Sequence, residues 1–549
     1  MYHFGKIFLA VLLLLCILNK PILAQPSTQL PKTFLWRISG NGLQKPSYLY
    51  GTIHITEKRA FFFGDSMYRA LEICEGYAAE LDMDSLSSYV TNSLFENKKS
   101  KLLKDVLDKE TFAKLSKNLS KKLNIPANKI TVADVRSEMN KTYRKSMSKG
   151  EMSGFMDAYL NNIAKKQGKW TGGIEDMEDQ VGIDDDETTI DPEFILQQLS
   201  NDEEIFFNQL VKIYIDQDLQ AIHDLYNGYS SKFKSVYLDK RNIKMAKRLD
   251  SLAHIRTMFF TMGVAHLSGD GGVIELLKQK GFTVEPVFSS KKISPDKYSY
   301  ESVQSSWITN YAKDSSFSFK APGSAKLLAM DMPIDMYMYM DLGTNYVYYV
   351  MKSGIAASIG NNYDSILNKM VDGMTAKTGK VISKKNILFK NANAIELLSK
   401  SDDGMFMRTI AFIKNKQAYI ILFGAKPKET CFTTDVDYYF NSIEILIANP
   451  TQKITTINDT TYYYSAVFPG NEIKNLSLPI AIEEDRQYWN FEVKAFMDED
   501  YSNLYIIAAK ETKPGYYIPS DTALFTLFEN QLNQKEKFKI THKGFRTLC

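Results

Sequence analysis

Two phrases in this chain put a histidine behind a glycine at the end of a run of strand formers. In the first, Tyr48-Leu49-Tyr50 leads into Gly51-Thr52-Ile53-His54; in the second, an apolar run over residues 257–262 leads into Gly263-Val264-Ala265-His266. Between them, Gly76-Tyr77-Ala78-Ala79-Glu80-Leu81-Asp82 is a third strand-like stretch, and it delivers Glu80 where its pattern ends. Two imidazoles and a carboxylate on strand ends are the donor set of a divalent metal: neutral nitrogen, anionic oxygen, and positions left for water. A single Gly-X-X-His is unspecific, and a satisfied core or surface imidazole is the commoner explanation of one such motif. The chain has six histidines and His3 lies in the leader, so two of the remaining five share one context. That repetition weighs toward a site.

The elements that must position these groups follow from pattern. A short strand over residues 32–38 and the turn Asn41-Gly42 form a hairpin with the strand that ends at His54. Helical spacing at Met67, Ala70, Leu71 and Cys74 then leads to the Glu80 strand. If the two strands run parallel, this strand–helix–strand unit brings His54 and Glu80 to one sheet edge, where ligands bind in such folds. Residues 100–235 read mostly as helix. The stripes Phe112, Leu115, Leu119, Leu123 and Met156, Leu160, Ile163 (around Asp157, Ala158 and Tyr159) are explained by packing. Residues 168–180 read as a loop holding Glu175, and residues 204–226 as one strong helix. Residues 237–253 read as a second helix, carrying Arg241 and Asn242, and residues 271–280 as a third before a closing strand over 282–287. A fixed guanidinium at Arg241 either pairs with a nearby acid or binds a substrate carboxylate or oxyanion. The acidic stretch 184–191 lacks the alternating spacing and glycine of a calcium loop.

These residues carry a resemblance. Leu49-Tyr50-Gly51-Thr52-Ile53-His54, Ala79-Glu80-Leu81-Asp82, Gly173-Ile174-Glu175 with Gln180, Asp216-Gln217-Asp218-Leu219, Arg241-Asn242, Met262 to Leu267 with Gly269, and Lys280-Gly281-Phe282-Thr283-Val284 resemble, in order, the TraB/GumN/Tiki family over about residues 33–290. The resemblance implies an exported metal-dependent hydrolase, a peptidase of the Tiki type acting on a peptide or protein. His54, Glu80 and His266 would hold the ion, manganese or cobalt, with zinc open. Glu80 or Glu175 would take the proton, and Arg241 and Asn242 would position substrate. The alternative is a non-catalytic peptide- or ligand-binding protein of the cell envelope.

The 549 residues leave room for two to four domains, and 44% hydrophobic with 24% charged residues fits a folded product. A net charge of +3 gives no reason to expect nucleic acid as a partner. Residues 1–24 read as a signal peptide: Lys6 precedes an apolar run over 7–18 too short to span a bilayer, and Ala24 stands before Gln25. The expected location is periplasmic or extracellular, with no membrane span in the mature chain. Cys16 raises a lipoprotein, but Leu15 is large where a lipobox wants a small residue; an uncleaved anchor is the remaining option. Cys74, Cys431 and Cys549 imply no disulfide framework, and Cys74 falls in a core pattern.

After the domain over 25–290 and a linker over 291–309, the composition changes. Residues 310–448 open with Phe317-Ser318-Phe319-Lys320-Ala321-Pro322-Gly323 and continue as strand, a helix from residue 363, and a hairpin over 405–423. That order resembles the PsbP/Mog1 class of small α+β domains. Residues 449–549 read as a second, incomplete copy, opening at Tyr464 to Gly470. The expected fold class is thus an α/β (α+β) N-terminal domain with a mixed central sheet and a helical insertion, followed by one complete and one partial α+β repeat domain. With no cluster of His, Cys or acids in the C-terminal half, binding or packing is expected there.

Overall fold

The computed structural model describes residues 29–93, 100–139, 152–179, 203–227, 238–303, 307–328, 334–355, 362–446, 454–472 save 462, 489–498, 503–512 and scattered positions to 530. The leader, Gln180, the acidic stretch and Cys549 lie outside these residues.

The N-terminal half is built on one six-stranded mixed sheet. Its strands are β1 (Leu35–Gly40), β2 (Ser47–Thr52), β4 (Gly76–Leu81), β5 (Trp170–Glu175), β6 (Met258–Gly263) and β7 (Phe282–Pro286), in the order β5-β4-β6-β2-β1-β7. The two-residue strands β3 (Phe63–Gly64) and β8 (Lys292–Ile293) pair beside it. Neighbours among β5, β4, β6 and β2 are parallel, while β1 runs antiparallel to β2 and β7. The expected hairpin is present, with Asn41 (φ 45°) and Gly42 (φ 81°) in the left-handed region that this turn needs. β4 is buried at every position and β6 at all but its last, as central parallel strands covered on both faces are.

The helices are α1 (Asp65–Ile73), α2 (Met83–Ser93), α3 (Leu103–Val106), α4 (Lys109–Leu123), α5 (Val132–Met139), α6 (Met156–Lys166), α7 (Glu203–Ile215), α8 (Leu219–Asn227), α9 (Lys240–Ile255) and α10 (Val273–Gln279). α6 packs on β4 and β5, α9 on β5 and β6, and α10 on α9 and β7. Leu115 and Leu119 of α4 close a small satellite core with Leu103, Ile130 and Val135, so that stripe is packing.

Two sequence expectations are corrected. The stretch read as a loop around Glu175 is strand β5, paired in parallel with β4. The single helix over 204–226 is two, broken at Asp216-Gln217-Asp218, where Gln217 takes φ 52° and leaves the helical region. The strand–helix–strand unit has its two strands parallel, as the reading required, with β6 lying between β2 and β4.

The stretch read as a linker lies against the N-terminal half. There β8 pairs with β3, and Tyr298 stacks on Tyr68 at 3.7 Å between ring centres.

Beyond it, β9 (Ile308–Tyr311), β10 (Phe317–Ala321) and β18 (Glu444–Ile445) form a small sheet. β11 (Lys326–Leu328), β12 (Ile334–Asp341), β13 (Tyr346–Gly354), β14 (Lys380–Phe389), β15 (Ala392–Lys400), β16 (Phe406–Lys414) and β17 (Gln417–Ala425) form an antiparallel sheet in the order β11-β12-β13-β17-β16-β15-β14. Leu367 and Val371 of α11 (Tyr363–Thr378) cover one face; an aromatic core with Phe317, Phe319, Phe412, Tyr419 and Tyr439 of α12 (Thr434–Asn441) fills the other. Among the described residues no helix is long and apolar enough to cross a membrane.

Candidate functional site

His54, Glu80, Glu175 and His266 all come to the carboxyl ends of the four parallel strands. Thr52 at the end of β2 stands opposite Gly263 at the end of β6, and Leu81 of β4 stands opposite Glu175 of β5. His54 follows β2, Glu80 is the penultimate residue of β4, Glu175 ends β5, and His266 sits in the short turn after β6. Chain order concealed this arrangement, but parallel strand direction enforces it.

The three expected ligands converge. His54 Nε2 lies 3.7 Å from Glu80 Oε2, and His266 Nε2 lies 3.9 Å from Glu80 Oε1. A Cβ placed on Gly263 would stand 3.4 Å from Glu80 Oε2, 3.5 Å from His266 Cδ2 and 3.7 Å from His54 Nε2, so this backbone sits at the centre of the group. Gly263 N also donates to Glu80 Oε2 at 2.9 Å. Gly51 is needed for a different close approach: a Cβ there would meet Leu267 Cδ1 at 2.7 Å and Val264 Cγ2 at 3.0 Å, pushing away the turn that carries His266.

The far nitrogen of each ring is held from behind. Nδ1 of His54 lies 2.9 Å from Asp157 Oδ2, whose other oxygen accepts from Thr52 Oγ1 at 2.9 Å. Nδ1 of His266 lies 2.6 Å from Asn242 Oδ1, and the Asn242 amide donates to Gly271 O at 2.7 Å, which fixes its orientation. With Nδ1–H donating backward on both rings, the lone pair of the neutral His266 ring falls on the Nε2 that faces Glu80, and loss of the Nε2 proton would free the same position on His54. A carboxylate or amide behind a histidine is how metal-binding imidazoles are usually oriented.

Arg241 ties the acids together. Its Nε and Nη2 donate to the two oxygens of Glu175, each at 2.6 Å, and Nη2 also donates to Glu80 Oε1. The Glu175 side chain is fully buried. Arg241 therefore meets acids, and Asn242 meets His266.

The charges fit this frame. Burial works against an ionised Glu80, yet the hydrogen bond with His54 and the field of His266, His54 and Arg241 hold it well below the usual carboxylate range. Burial lowers His266 to about 4, with Glu80 pulling the other way and Arg241 and His54 adding to the drop, so its ring is neutral at neutral pH. Burial also opposes charge on His54, but Asp157 and Glu80 outweigh it and lift the ring to about 10. The attraction that keeps a proton on His54 is the same attraction a divalent cation would feel.

The donor set fits a metal in kind. Among the described residues, however, no three His, Cys, Asp or Glu side chains stand at coordinating geometry. Ligands about 2.1 Å from a tetrahedral ion lie roughly 3.4 Å apart, so the 3.7 and 3.9 Å separations need a small closure, with Arg241 yielding Glu80 Oε1.

Sequence reasoning passed over Asp157, which is 1% exposed on α6. The available signal was an acid inside an apolar helical stripe, where a buried charge needs a partner. Cys74 is buried, and loss of solvation pushes its thiol up to about 12, which removes it as a nucleophile.

Residues 34–286 match the family model for the TraB/PrgY/gumN family. This segment is a TraB/PrgY/gumN-family domain. The chain is also similar to the protein named Metalloprotease TIKI2 of Danio rerio, with 23% identity over 358 residues, covering 49% of this chain and 66% of that protein. It thus spans just under two thirds of that relative's length. Among solved structures, a cyanobacterial PsbP from Synechocystis sp. PCC 6803 is matched at 12% identity and a TM-score of 0.21, covering 26% of this chain and 93% of its own. A Pseudomonas aeruginosa protein of unknown function is matched at 10% identity and a TM-score of 0.18, covering 26% of this chain and 99% of its own. Scores this low carry no argument about the fold of the C-terminal half.

Proposed function

We propose that the TraB-family domain is an exported metal-dependent hydrolase that cleaves peptides or proteins. The observation that carries the reading is the paired backing of the imidazoles: Asp157 and Asn242 take the two Nδ1 atoms and leave both Nε2 atoms facing one carboxylate. His54, Glu80 and His266 would hold the ion. When bound, a divalent metal supplies a water whose pKa is lowered toward about 7 and polarisation of the scissile carbonyl.

The chain's own groups do the rest. Asp157 and Asn242 keep the rings from rotating. Arg241 fixes the two acids relative to each other. Glu175 gives both oxygens to Arg241 and is fully covered, so Glu80, which borders the 42% exposed His54 ring, is the acid placed to face the ion, and Glu175 is set behind it as the anchor of Arg241. Peptide specificity is supported by the relative named a metalloprotease, and export by the leader over residues 1–24.

The engagement of Glu80 by Arg241 favours a second reading, in which the ion-paired cluster braces a peptide-binding surface without turnover. Metal analysis of purified protein together with a peptide-library cleavage assay separates them. Bound metal with cleavage that is lost in His54→Ala/His266→Ala supports the hydrolase; stable peptide capture without cleavage supports the second reading.

A further inference from the structure

The end of α6 that holds His54 is itself held from outside the TraB-family segment. The turn between β12 and β13, residues 341–346, lies against it. Asn345 donates through its side-chain amide to Ser153 O. Leu342 packs on the N-terminal hydrophobic core. A Cβ on Gly343 would fall 2.7 Å from Ala158 O and 3.1 Å from Asn162 Cβ, and one on Gly154 would fall 2.3 Å from Leu342 O. These are backbone-to-backbone approaches that only glycine permits.

The turn is also internally braced. Gly343 N donates to Asp341 Oδ1 at 2.8 Å, Asn345 N donates to Asp341 O at 2.6 Å, and Asn345 takes φ 57°. Ser87 of α2 fixes the strand leading into it, donating to Met340 O at 2.6 Å.

The gripped segment, residues 153–158, carries Asp157 on His54 Nδ1 and Phe155, whose ring meets the His54 ring edge-on at 6.0 Å. His266 is oriented from α9 instead, by Asn242. We propose that the β12–β13 turn is a positioning element for His54: it sets the place of the 153–158 segment and, through Asp157 and Phe155, the direction of the His54 ring. Its consequence for hydrolysis rests on the reading above, whereas the positioning itself does not. The C-terminal sheet thereby gains a role that its lack of chemical groups would not suggest.

The test uses the full mature chain labelled with 13C-histidine, with the His54 and His266 signals assigned by their loss in His54→Gln and His266→Gln. Gly343→Val forces the turn off Ala158, and Asn345→Gly removes one hydrogen bond while keeping the left-handed turn. Both variants are expected to move the His54 signal and leave the His266 signal in place. An unmoved His54 signal in either folded variant overturns the proposal, and so do equal movements of both signals, which would mean general loosening. Should Gly343→Val fail to fold, Asn345→Gly decides by the same outcomes. The spectra need neither metal nor substrate, so failure of the hydrolase reading would not be mistaken for failure of this one.

Discussion

The two largest sheets among the described residues bury polar groups in different ways. In the N-terminal sheet four parallel strands end on the same side, and Glu80, Glu175 and His266 gather there, with Asp157 and Asn242 brought in by flanking helices. In the antiparallel C-terminal sheet, neighbouring strands end on opposite sides and the core between sheet and helix is aromatic. Its buried Lys352 pairs with Asp314 and Asp335, acids that are themselves partly exposed. Parallel direction therefore concentrates donors, while antiparallel direction spreads them. If this contrast is right, substitutions in the first sheet change chemistry and those in the core of the second, away from the β12–β13 turn, change stability.

The largest expected effect is that of Glu80→Gln, which removes the carboxylate between both imidazoles and leaves the buried Arg241 with one acid. Divalent metal binding, followed by calorimetry with Mn2+, should fall below detection; retained binding would detach Glu80 from the site. Asp157→Asn should keep the shape and lose the charge behind His54, weakening metal affinity by about 10- to 100-fold. An affinity within twofold of wild type would show that the carboxylate does not serve the ring.

Phe319→Ala probes the other region. It empties a fully buried position in the aromatic core and should cost about 3–5 kcal/mol in chemical denaturation, with metal content per folded protein unchanged. Loss of metal there would blur the division between the sheets. Thr52→Val should cost about 1.5–3 kcal/mol, because it deletes a hydroxyl donor to the buried Asp157 carboxylate. At the small end, Cys74 should resist alkylation at pH 8 in the folded chain and react once unfolded, a difference that mass spectrometry reads directly.

Much of the N-terminal site was legible because it is written locally. A strand run, then glycine, then histidine marks a strand end wherever it occurs, and both instances proved to be strand ends. The Asn41-Gly42 hairpin was legible for the same reason. What could not be read was spatial order: nothing in residues 46–82 announces that β6, far downstream, inserts between β2 and β4. β5 was missed because Trp170-Thr171-Gly172-Gly173 is glycine-rich, and its pairing with β4 overrides that weak propensity. Asp157 was missed because its partners, Thr52 and His54, lie about a hundred residues earlier and helical spacing says nothing of them.

The central claim is that His54, Glu80 and His266 act as one cation-binding set. Its most direct test is the metal content, by mass spectrometry, of the purified mature chain beside its His54→Ala/His266→Ala variant, with both shown to be folded. The account predicts divalent metal in the first and none above background in the second. Equal metal in the two, or none in either after incubation with manganese, cobalt and zinc, would contradict it.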